Sequence, residues 1–313
     1  MTSEKNPVQM KKKENLLKYI INNRYLYLLM LPGVIYLIIF KYVPMYGVII
    51  AFKDFSFAKG IIGSPFNNFE NFKTLFSSQD FYRILFNSVY LSIVKIIFAF
   101  PIPIIFAIML NEVGNKKFKR ITQTIMYLPH FISWVVIGGI VVIFMSADGG
   151  LINEIIKKLG YQPIPFLSSE SWFRAVVIIT DVWKEAGWGT IIYLASLTSI
   201  SPEYYEAATV DGANRWQQIL YITLPCISNT IIILLTLKIG GLMTNGFEQI
   251  YILQNPINMA VSDVFETYTY RVGLANTQYS YASAVGLFQS IIGLILIYCT
   301  NKIAKMFGKS TIY

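Results

Sequence analysis

Six long apolar segments constrain this chain more than any other feature. They lie at about 26–50, 85–110, 122–146, 173–199, 226–245 and 281–304. Several exceed the roughly 18 apolar residues that indicate a helix long enough to cross a bilayer. The segments are continuous instead of alternating between apolar and polar residues, which disfavours a transmembrane β-barrel. The sequence therefore predicts an all-α integral membrane protein with six transmembrane helices.

Composition agrees with a membrane protein and disfavours other classes. Of the 313 residues, 55% are hydrophobic and 14% are charged, whereas about a quarter of a soluble domain is charged. The net charge of +9 does not indicate nucleic-acid binding, because most lysines and arginines flank the apolar segments. Cys226 and Cys299 lie at or inside apolar segments, which predicts two small hydrophobic side chains and no disulfide or thiol–metal site.

The positions of lysine and arginine predict the orientation of the chain. The N-terminal tail, the short loop at 111–121 and the C-terminal end are basic, whereas the long loop at 51–84 is nearly balanced in charge. The positive-inside rule places both termini in the cytoplasm. We therefore expect a cytoplasmic basic segment at 1–25, a six-span domain at 26–304 and a cytoplasmic tail at 305–313. The first apolar segment is too long for a cleaved signal peptide.

A polar segment at 201–225 separates the fourth and fifth apolar segments. Ser201 suits a helix N-cap and Pro202 suits the first helical position. Gly212 allows a positive φ and a sharp reversal of the chain. A second helix then leads through Pro225 into the next apolar segment. The pattern predicts a short helix, a tight turn and a re-entering helix that move as one rigid lever; the alternative is a polar loop with no function.

The order and spacing of residues in this segment resemble the cytoplasmic EAA loop of type I ABC-importer permeases. Glu-Ala-Ala is followed by Asp-Gly-Ala, and Leu-Pro comes twelve residues after the glycine. The resemblance implies that eight residues couple the chain to an ATPase: Glu206, Ala207, Ala208, Asp211, Gly212, Ala213, Leu224 and Pro225. It further implies that Glu206 lies in a cleft of the ATPase and that Gly212 sets the turn.

Three further segments resemble the permeases of sugar importers in the complex-polysaccharide and oligosaccharide subgroup. They are LPGVIYLIIFKYVPMYGVIIAFKDF at 31–55, TNGFEQIYILQNP at 244–256 and DVFETYTYRVGL at 263–274. Amino-acid, phosphate and metal importers have related EAA loops, so the sugar assignment depends on this wider resemblance. It implies the type I ABC-importer permease fold and an oligosaccharide or polysaccharide-derived substrate. A non-sugar solute is the alternative.

The family resemblance also implies the partners and the location of the chain. A second permease subunit would complete the pore, usually as a heterodimer, in the cell membrane of a prokaryote. Two cytoplasmic ATPase subunits would bind and hydrolyse ATP with Mg²⁺, and an extracellular solute-binding protein would deliver the sugar. Membrane lipid would surround the chain, and no nucleic acid is involved. The chain itself would bind no cofactor or metal.

The sequence contains no signature of an enzyme. Gly308-Lys309-Ser310 ends like a phosphate-binding loop, but Ile303 occupies the position where that motif needs a glycine. His130 is the single histidine, so neither a histidine metal cluster nor a conventional catalytic triad can form. We therefore expect a transport subunit whose ATP hydrolysis takes place on a separate chain.

Charged residues inside the apolar segments are candidates for a translocation path, because they are costly in lipid and usually face a protein interior or a wet cavity. The lysines in these segments are Lys41, Lys95, Lys184 and Lys238. Lys41 lies toward the end of its segment, where snorkelling explains it. Asp181 and Glu185 bracket Lys184, so an ion pair across helices is the structural alternative to a path.

The predicted path combines aromatic, charged and amide side chains. Aromatic surfaces suit the C–H faces of sugars, and amides and carboxylates suit their hydroxyls. The candidates are Trp183, Lys184, Trp188, Lys238, Asn245, Glu248 and Gln249. An excess of lysines in the cavity would suggest an acidic sugar. An ion-coupled secondary transporter is disfavoured, because the sequence shows no inverted repeats and no helices interrupted at matching positions.

Overall fold

The computed structural model describes residue 19 and residues 21–306, and the regular secondary structure of this part is helical apart from one isolated bridge between Lys53 and Phe66. Most of the predicted N-terminal segment and of the predicted tail lies outside the described residues. The helices are α1 (Arg24–Phe52), α2 (Gly60–Gly63), α3 (Glu70–Ser77), α4 (Gln79–Glu112), α5 (Lys116–Phe131), α6 (Trp134–Phe144), α7 (Leu151–Lys158), α8 (Glu170–Thr198), α9 (Pro202–Val210), α10 (Arg215–Gly240), α11 (Phe247–Leu253), α12 (Met259–Ser262), α13 (Phe265–Tyr270) and α14 (Tyr279–Met306).

Four helices are long and apolar enough to cross a membrane, namely α1, α4, α10 and α14. Helices α5 and α6 form a fifth candidate if the pair, bent by 94°, is one span. Helix α8 coincides with the predicted segment 173–199 and is 29 residues long. Asp181, Lys184 and Glu185 lie within it, so its composition is not that of a simple span. The fold is thus an all-α membrane bundle with four or five apolar spans, and the count of six stays a prediction.

Helix α10 differs from its predicted boundaries at both ends. It starts at Arg215, inside the polar segment, and stops at Gly240, before the predicted end at residue 245. A π-helical turn at Ile219–Thr223 carries it past Pro225. Proline has no N–H and its ring crowds the carbonyl four residues earlier, and a local π turn relieves both problems. The same arrangement recurs in α1, where a π turn at Ile38–Tyr42 precedes Pro44.

The sharp bend between α5 and α6 also has a local cause. Pro129 lies in a 3-10 turn at Leu128–Phe131, and the extended residues Ile132 and Ser133 follow it. Ser133 then caps α6 by accepting a hydrogen bond from the Val136 N–H. The bend therefore begins at the turn that contains Pro129.

Close contacts between helices hold the bundle together at small residues. A methyl group added at Gly187 of α8 would lie 1.9 Å from the Met126 carbonyl oxygen of α5. One added at Gly240 would lie 2.1 Å from Ile297 of α14. One added at Gly138 would lie 2.4 Å from Ile252. These backbone approaches explain why small residues sit at the helix interfaces, as is usual in membrane bundles.

Among the described residues, three clusters of buried apolar side chains form the core; two of them involve α8, and the third packs α3, α4, α13 and α14 together. One cluster packs Phe173, Val176 and Val177 of α8 against Leu91 of α4 and Ile250 of α11. A second cluster lies at the other end of α8 and contains Tyr193, Leu197 and Ile227. Helix α1, by contrast, has Ala51 as its buried residue. Its apolar surface suits a membrane, because lipid is as favourable a neighbour for these side chains as protein.

Candidate functional site: the coupling segment and a polar cavity

Helix α9 and the turn after it form the coupling segment, residues 201–225. The Ser201 hydroxyl accepts a hydrogen bond from the Glu203 N–H at 3.4 Å, and Pro202 occupies the first turn. Gly212 has a φ of +79°, a conformation that costs glycine little and other residues more. Asn214 then begins α10 with a reciprocal capping box to Gln217. These local signals explain why the sequence forms a short helix, a reversal and a second helix.

Side-chain bonds attach α9 to the start of α10. The Gln218 amide donates to the Thr209 hydroxyl at 3.0 Å, and the Tyr205 and Thr223 hydroxyls lie 3.0 Å apart. Gln218 and Thr223 are buried. On the far side of the reversal, Arg215 lies 3.6 Å from Glu112 at the end of α4. Helix α9 is therefore linked by side chains to α10, whereas three consecutive residues connect it to α8.

The predicted coupling residues lie mostly on the surface of this segment. Glu206, Ala207, Asp211, Gly212 and Pro225 are exposed, and Ala208, Ala213 and Leu224 are half-buried. Large apolar side chains beside them are also exposed, among them Val210 at 88% and Trp216 at 73%. Exposed apolar groups next to an unpaired carboxylate form a surface suited to contact with another protein. The described part of the chain leaves this surface uncovered.

A polar cavity lies between α4, α8 and the end of α10. It has two adjoining parts of about 350 Å³ and 370 Å³, and Asp181, Glu185 and Lys238 line both. Trp134 contributes to the first part and Trp188 to the second. Both volumes fall within the roughly 300–1,000 Å³ that small-molecule sites occupy. The cavity thus joins aromatic surfaces to charged groups in the middle of the bundle.

Lys95 fastens three elements at the wall of this cavity. Its ammonium donates to Asp181 Oδ1 at 2.9 Å, to Gln249 Oε1 at 2.9 Å and to the Asn245 carbonyl at 3.0 Å. The lysine side chain is 6% exposed and the aspartate side chain 14%. The Gln249 amide in turn donates to the Val177 carbonyl and the Thr180 hydroxyl. Lys95 therefore holds the non-helical link after α10 against α4 and α8.

Lys184 fastens the bend between α5 and α6. Its ammonium donates to the carbonyls of His130 at 2.6 Å, of Ile132 at 2.7 Å and, more weakly, of Pro129 at 3.4 Å. All three carbonyls lie at the bend, and that of Pro129 also accepts a hydrogen bond from the Ile132 N–H at 3.2 Å. An ammonium has three protons to donate, and these three backbone carbonyls accept them. Lys184 is a structural support of the bend.

Glu185 and Trp188 of α8 contact His130 at the bend between α5 and α6. His130 Nδ1 lies 2.8 Å from Glu185 Oε2, and the imidazole stacks on the Trp188 indole at 4.5 Å with an interplanar angle of 3°. Lys184 Nζ lies 3.8 Å from Glu185 Oε1. Glu185 therefore faces the cavity with one cation and one imidazole beside it. His130 therefore contacts both groups at the bend.

The predicted path residues are distributed over different surroundings. Lys238 and Trp188 line the polar cavity, as does Asn245. Trp183 lies instead against an apolar cavity of about 590 Å³ together with Phe98 and Met126. Lys184 and Gln249 are buried with their hydrogen bonds made inside the chain, and Glu248 is exposed at the start of α11. The structure thus brings Trp188, Lys238 and Asn245 together.

Lys95 and Asp181 belong to the cavity but were absent from the predicted path. In the sequence, each of these residues is a charge inside an apolar segment. That position indicates burial, but it does not show which lysine forms an ion pair with which carboxylate. No group of three or more histidine, cysteine, aspartate or glutamate residues within the described residues is arranged to hold a metal ion.

A second polar cluster stabilises the loop after α11. Arg271 Nη1 donates to Asp263 Oδ1 at 3.0 Å and Nη2 to Oδ2 at 2.5 Å. Asp263 is fully buried and also accepts from the Thr267 hydroxyl at 2.9 Å. The hydrogen bonds to Asp263 raise the pKa of Arg271 above its usual range. The two hydrogen bonds between Arg271 and Asp263 provide a fixed support for the segment that follows the cavity wall.

A bundle of apolar helices around a polar cavity, with a short exposed helix linked to one span, defines a polytopic membrane transport subunit. Residues 99–312 match the family described as the binding-protein-dependent transport system inner membrane component. The chain belongs to this family. The resemblance to ABC-importer permeases noted in the sequence is confirmed.

Curated relatives and solved structures match nearly the whole chain. Protein LplB of Bacillus subtilis (strain 168) is 46% identical over 291 residues, covering 93% of this chain and 92% of LplB. The polygalacturonan/rhamnogalacturonan transport system permease protein YteP of the same organism is 46% identical over 302 residues, covering 96% and 94% of the two chains. A chain of a bacterial alginate ABC transporter, in complex with an alginate pentasaccharide-bound periplasmic protein, superimposes with a TM-score of 0.87 at 41% identity, covering 96% of this chain and 100% of that one.

Proposed function

We propose that this chain is a permease subunit of an ATP-driven importer for an oligosaccharide or polysaccharide-derived sugar. The observation that carries the proposal is the coupling segment, which presents Glu206 and exposed apolar side chains on a helix fastened to α10. The cavity proposed as the solute path and the segment proposed to contact the ATPase then lie in the same chain. Similar proteins named for transport of polygalacturonan, rhamnogalacturonan and alginate support the sugar assignment.

The proposed assembly contains the parts that this chain does not supply. A second permease subunit completes the pore, and two cytoplasmic ATPase subunits bind ATP and Mg²⁺ and each receive one coupling helix. An extracellular solute-binding protein delivers the sugar. The chain lies in the cell membrane of a prokaryote with six spans and both termini in the cytoplasm. The alginate transporter with its periplasmic protein supports the binding-protein partner.

The proposed mechanism is alternating access driven through α9. ATP binding closes the ATPase pair, draws the two coupling helices together and shifts the permeases from an inward-facing to an outward-facing state. The bonds from Thr209 to Gln218 and from Tyr205 to Thr223 pass this displacement to α10. The chain performs no chemistry on the sugar. Its residues bind, orient and release it.

Two substitutions in the coupling segment test the proposal. Glu206→Lys reverses an exposed charge, and Gly212→Pro imposes a φ near −65° where the chain has +79°. We expect membrane insertion to survive in both variants, while solute-stimulated ATPase activity and uptake collapse in the reconstituted transporter. Glu170→Lys is the matched control, because this exposed glutamate lies at the opposite end of α8. Normal uptake in both coupling variants would contradict the proposal.

A further inference from the structure

The lysines near the cavity differ in how many hydrogen-bond acceptors they already have. The Lys95 ammonium donates hydrogen bonds to Asp181, Gln249 and the Asn245 carbonyl. The Lys184 ammonium donates hydrogen bonds to three backbone carbonyls at the bend. Neither lysine has a donor left for a passing solute. Both lysines therefore stabilise the packing of the helices.

Lys238 has no such partner. Within the described residues its ammonium makes no hydrogen bond or ion pair, and the side chain is exposed. It lines both parts of the cavity opposite Asp181 and Glu185. Asp181 is already paired with Lys95 at 2.9 Å, and Glu185 has His130 at 2.8 Å and Lys184 at 3.8 Å. Each carboxylate is therefore satisfied without Lys238.

Within the described residues, Lys238 is the lysine of the cavity lining whose donors stay free. Asp181 is paired with Lys95, and Glu185 contacts His130 and Lys184, so neither carboxylate takes up the Lys238 ammonium. The Lys238 side chain is exposed, so its ammonium stays accessible to a solute in the cavity. A path for neutral sugars alone has no need of a free ammonium, whereas an anion that enters the cavity supplies its counter-charge.

We propose that Lys238 binds the carboxylate of an acidic sugar, a uronate, during its passage through the cavity. This inference rests on the proposed import function and adds the chemical class of the substrate. The lysine forms a charge-assisted hydrogen bond with the carboxylate, while Trp134 and Trp188 offer aromatic surfaces to the sugar rings on either side. Lys238 selects the acidic substrate, and Lys184 takes no part in the selection.

Uptake of paired acidic and neutral sugars by the complete transporter tests this role. The protein is reconstituted with its partner permease, ATPases and binding protein. The probes are the trisaccharides of galacturonate and of alginate, each compared with its carboxyl-reduced neutral form. Lys238→Met should lower uptake of the acidic trisaccharide by about tenfold or more, because a hydrogen bond to a charged group is lost. Uptake of any transported neutral form should fall less than twofold, and Lys238→Arg should retain the preference for acid.

Lys41→Met is the matched control. Lys41 is another lysine in an apolar span, exposed and without a partner in the described chain, and its removal should leave both rates unchanged. Copurification of all subunits reports assembly. If only the acidic forms are imported, loss in Lys238→Met with retention in Lys238→Arg supports the inference.

Three other outcomes would overturn it. Equal losses for acidic and neutral sugars would mean that Lys238 supports assembly or general transport. Equal uptake by Lys238→Met and the wild type would remove any role in selection. Import of neutral oligosaccharides alone would refute the acidic substrate and leave the import function standing. If the assembled complex imports no sugar of either kind, the proposed function itself fails.

Discussion

Replacing Lys95 by methionine should destabilise the chain strongly, because it removes one half of a buried ion pair. The substitution deletes three hydrogen bonds of 2.9–3.0 Å and leaves the Asp181 carboxylate, 14% exposed, without its cation. Breaking one side of a buried pair costs about 3–5 kcal/mol. At roughly 2 °C per kcal/mol for a chain of this size, the melting temperature should fall by about 6–10 °C.

A double-mutant cycle separates this pairing from ordinary loss of packing. Lys95→Met, Asp181→Asn and the double variant are melted in the same detergent as purified transporter. The double variant no longer contains a buried unpaired charge, so its destabilisation should be smaller than the sum of the two single effects by about 0.5–3 kcal/mol. Lys41→Met should stay within about 0.5 kcal/mol of the wild type. Strict additivity of the two single variants would refute the pairing.

Two further predictions concern helix contact and topology. Gly187→Ala places a methyl group 1.9 Å from the Met126 carbonyl oxygen and should lower stability by at least about 1–3 kcal/mol in the same melting assay. Gly139→Ala, with no atom within 4 Å of the added carbon, is the control, and equal melting of the two would argue against this helix contact. A cysteine at Thr209, in a background without Cys226 and Cys299, should resist impermeant thiol reagents added outside intact cells and react after permeabilisation. Labelling from outside would place the coupling segment on the wrong face of the membrane.

The sequence was most informative where local chemistry decides the conformation. Ser201 as N-cap, Pro202 in the first turn and a positive φ at Gly212 are all present in the structure. The turn at Pro129 and the end of α7 at Lys158, just before Gly160, likewise depend on residues close in sequence. In each case the governing residues lie within a few positions of one another. The sequence of one short segment is therefore enough to predict these caps and turns.

The partners of the intramembrane charges could not be predicted in the same way. Lys95 and Asp181 are 86 residues apart, and Lys184 reaches the His130 carbonyl across 54 residues. Such pairs depend on how α4, α5 and α8 pack, and many pairings satisfy the same composition. The sequence accordingly grouped Lys184 with Lys238 as path candidates. The structure separates them, because one ammonium is surrounded by carbonyls and the other faces a cavity.

Helix α10 connects the coupling segment to the cavity. It begins at Arg215, three residues before the Gln218 that bonds α9, and it carries Lys238 two residues before its end at Gly240. At 1.5 Å per residue, its 26 residues extend about 39 Å, long enough to cross the hydrocarbon core. Beyond it, Lys95 holds the Asn245 carbonyl against α4 and α8. If force enters at α9 while this link stays fixed, α10 must tilt about its far end. Because Lys238 lies two residues from that end, the tilt displaces it little, and the largest displacement falls on the start of α10 beside the coupling helix.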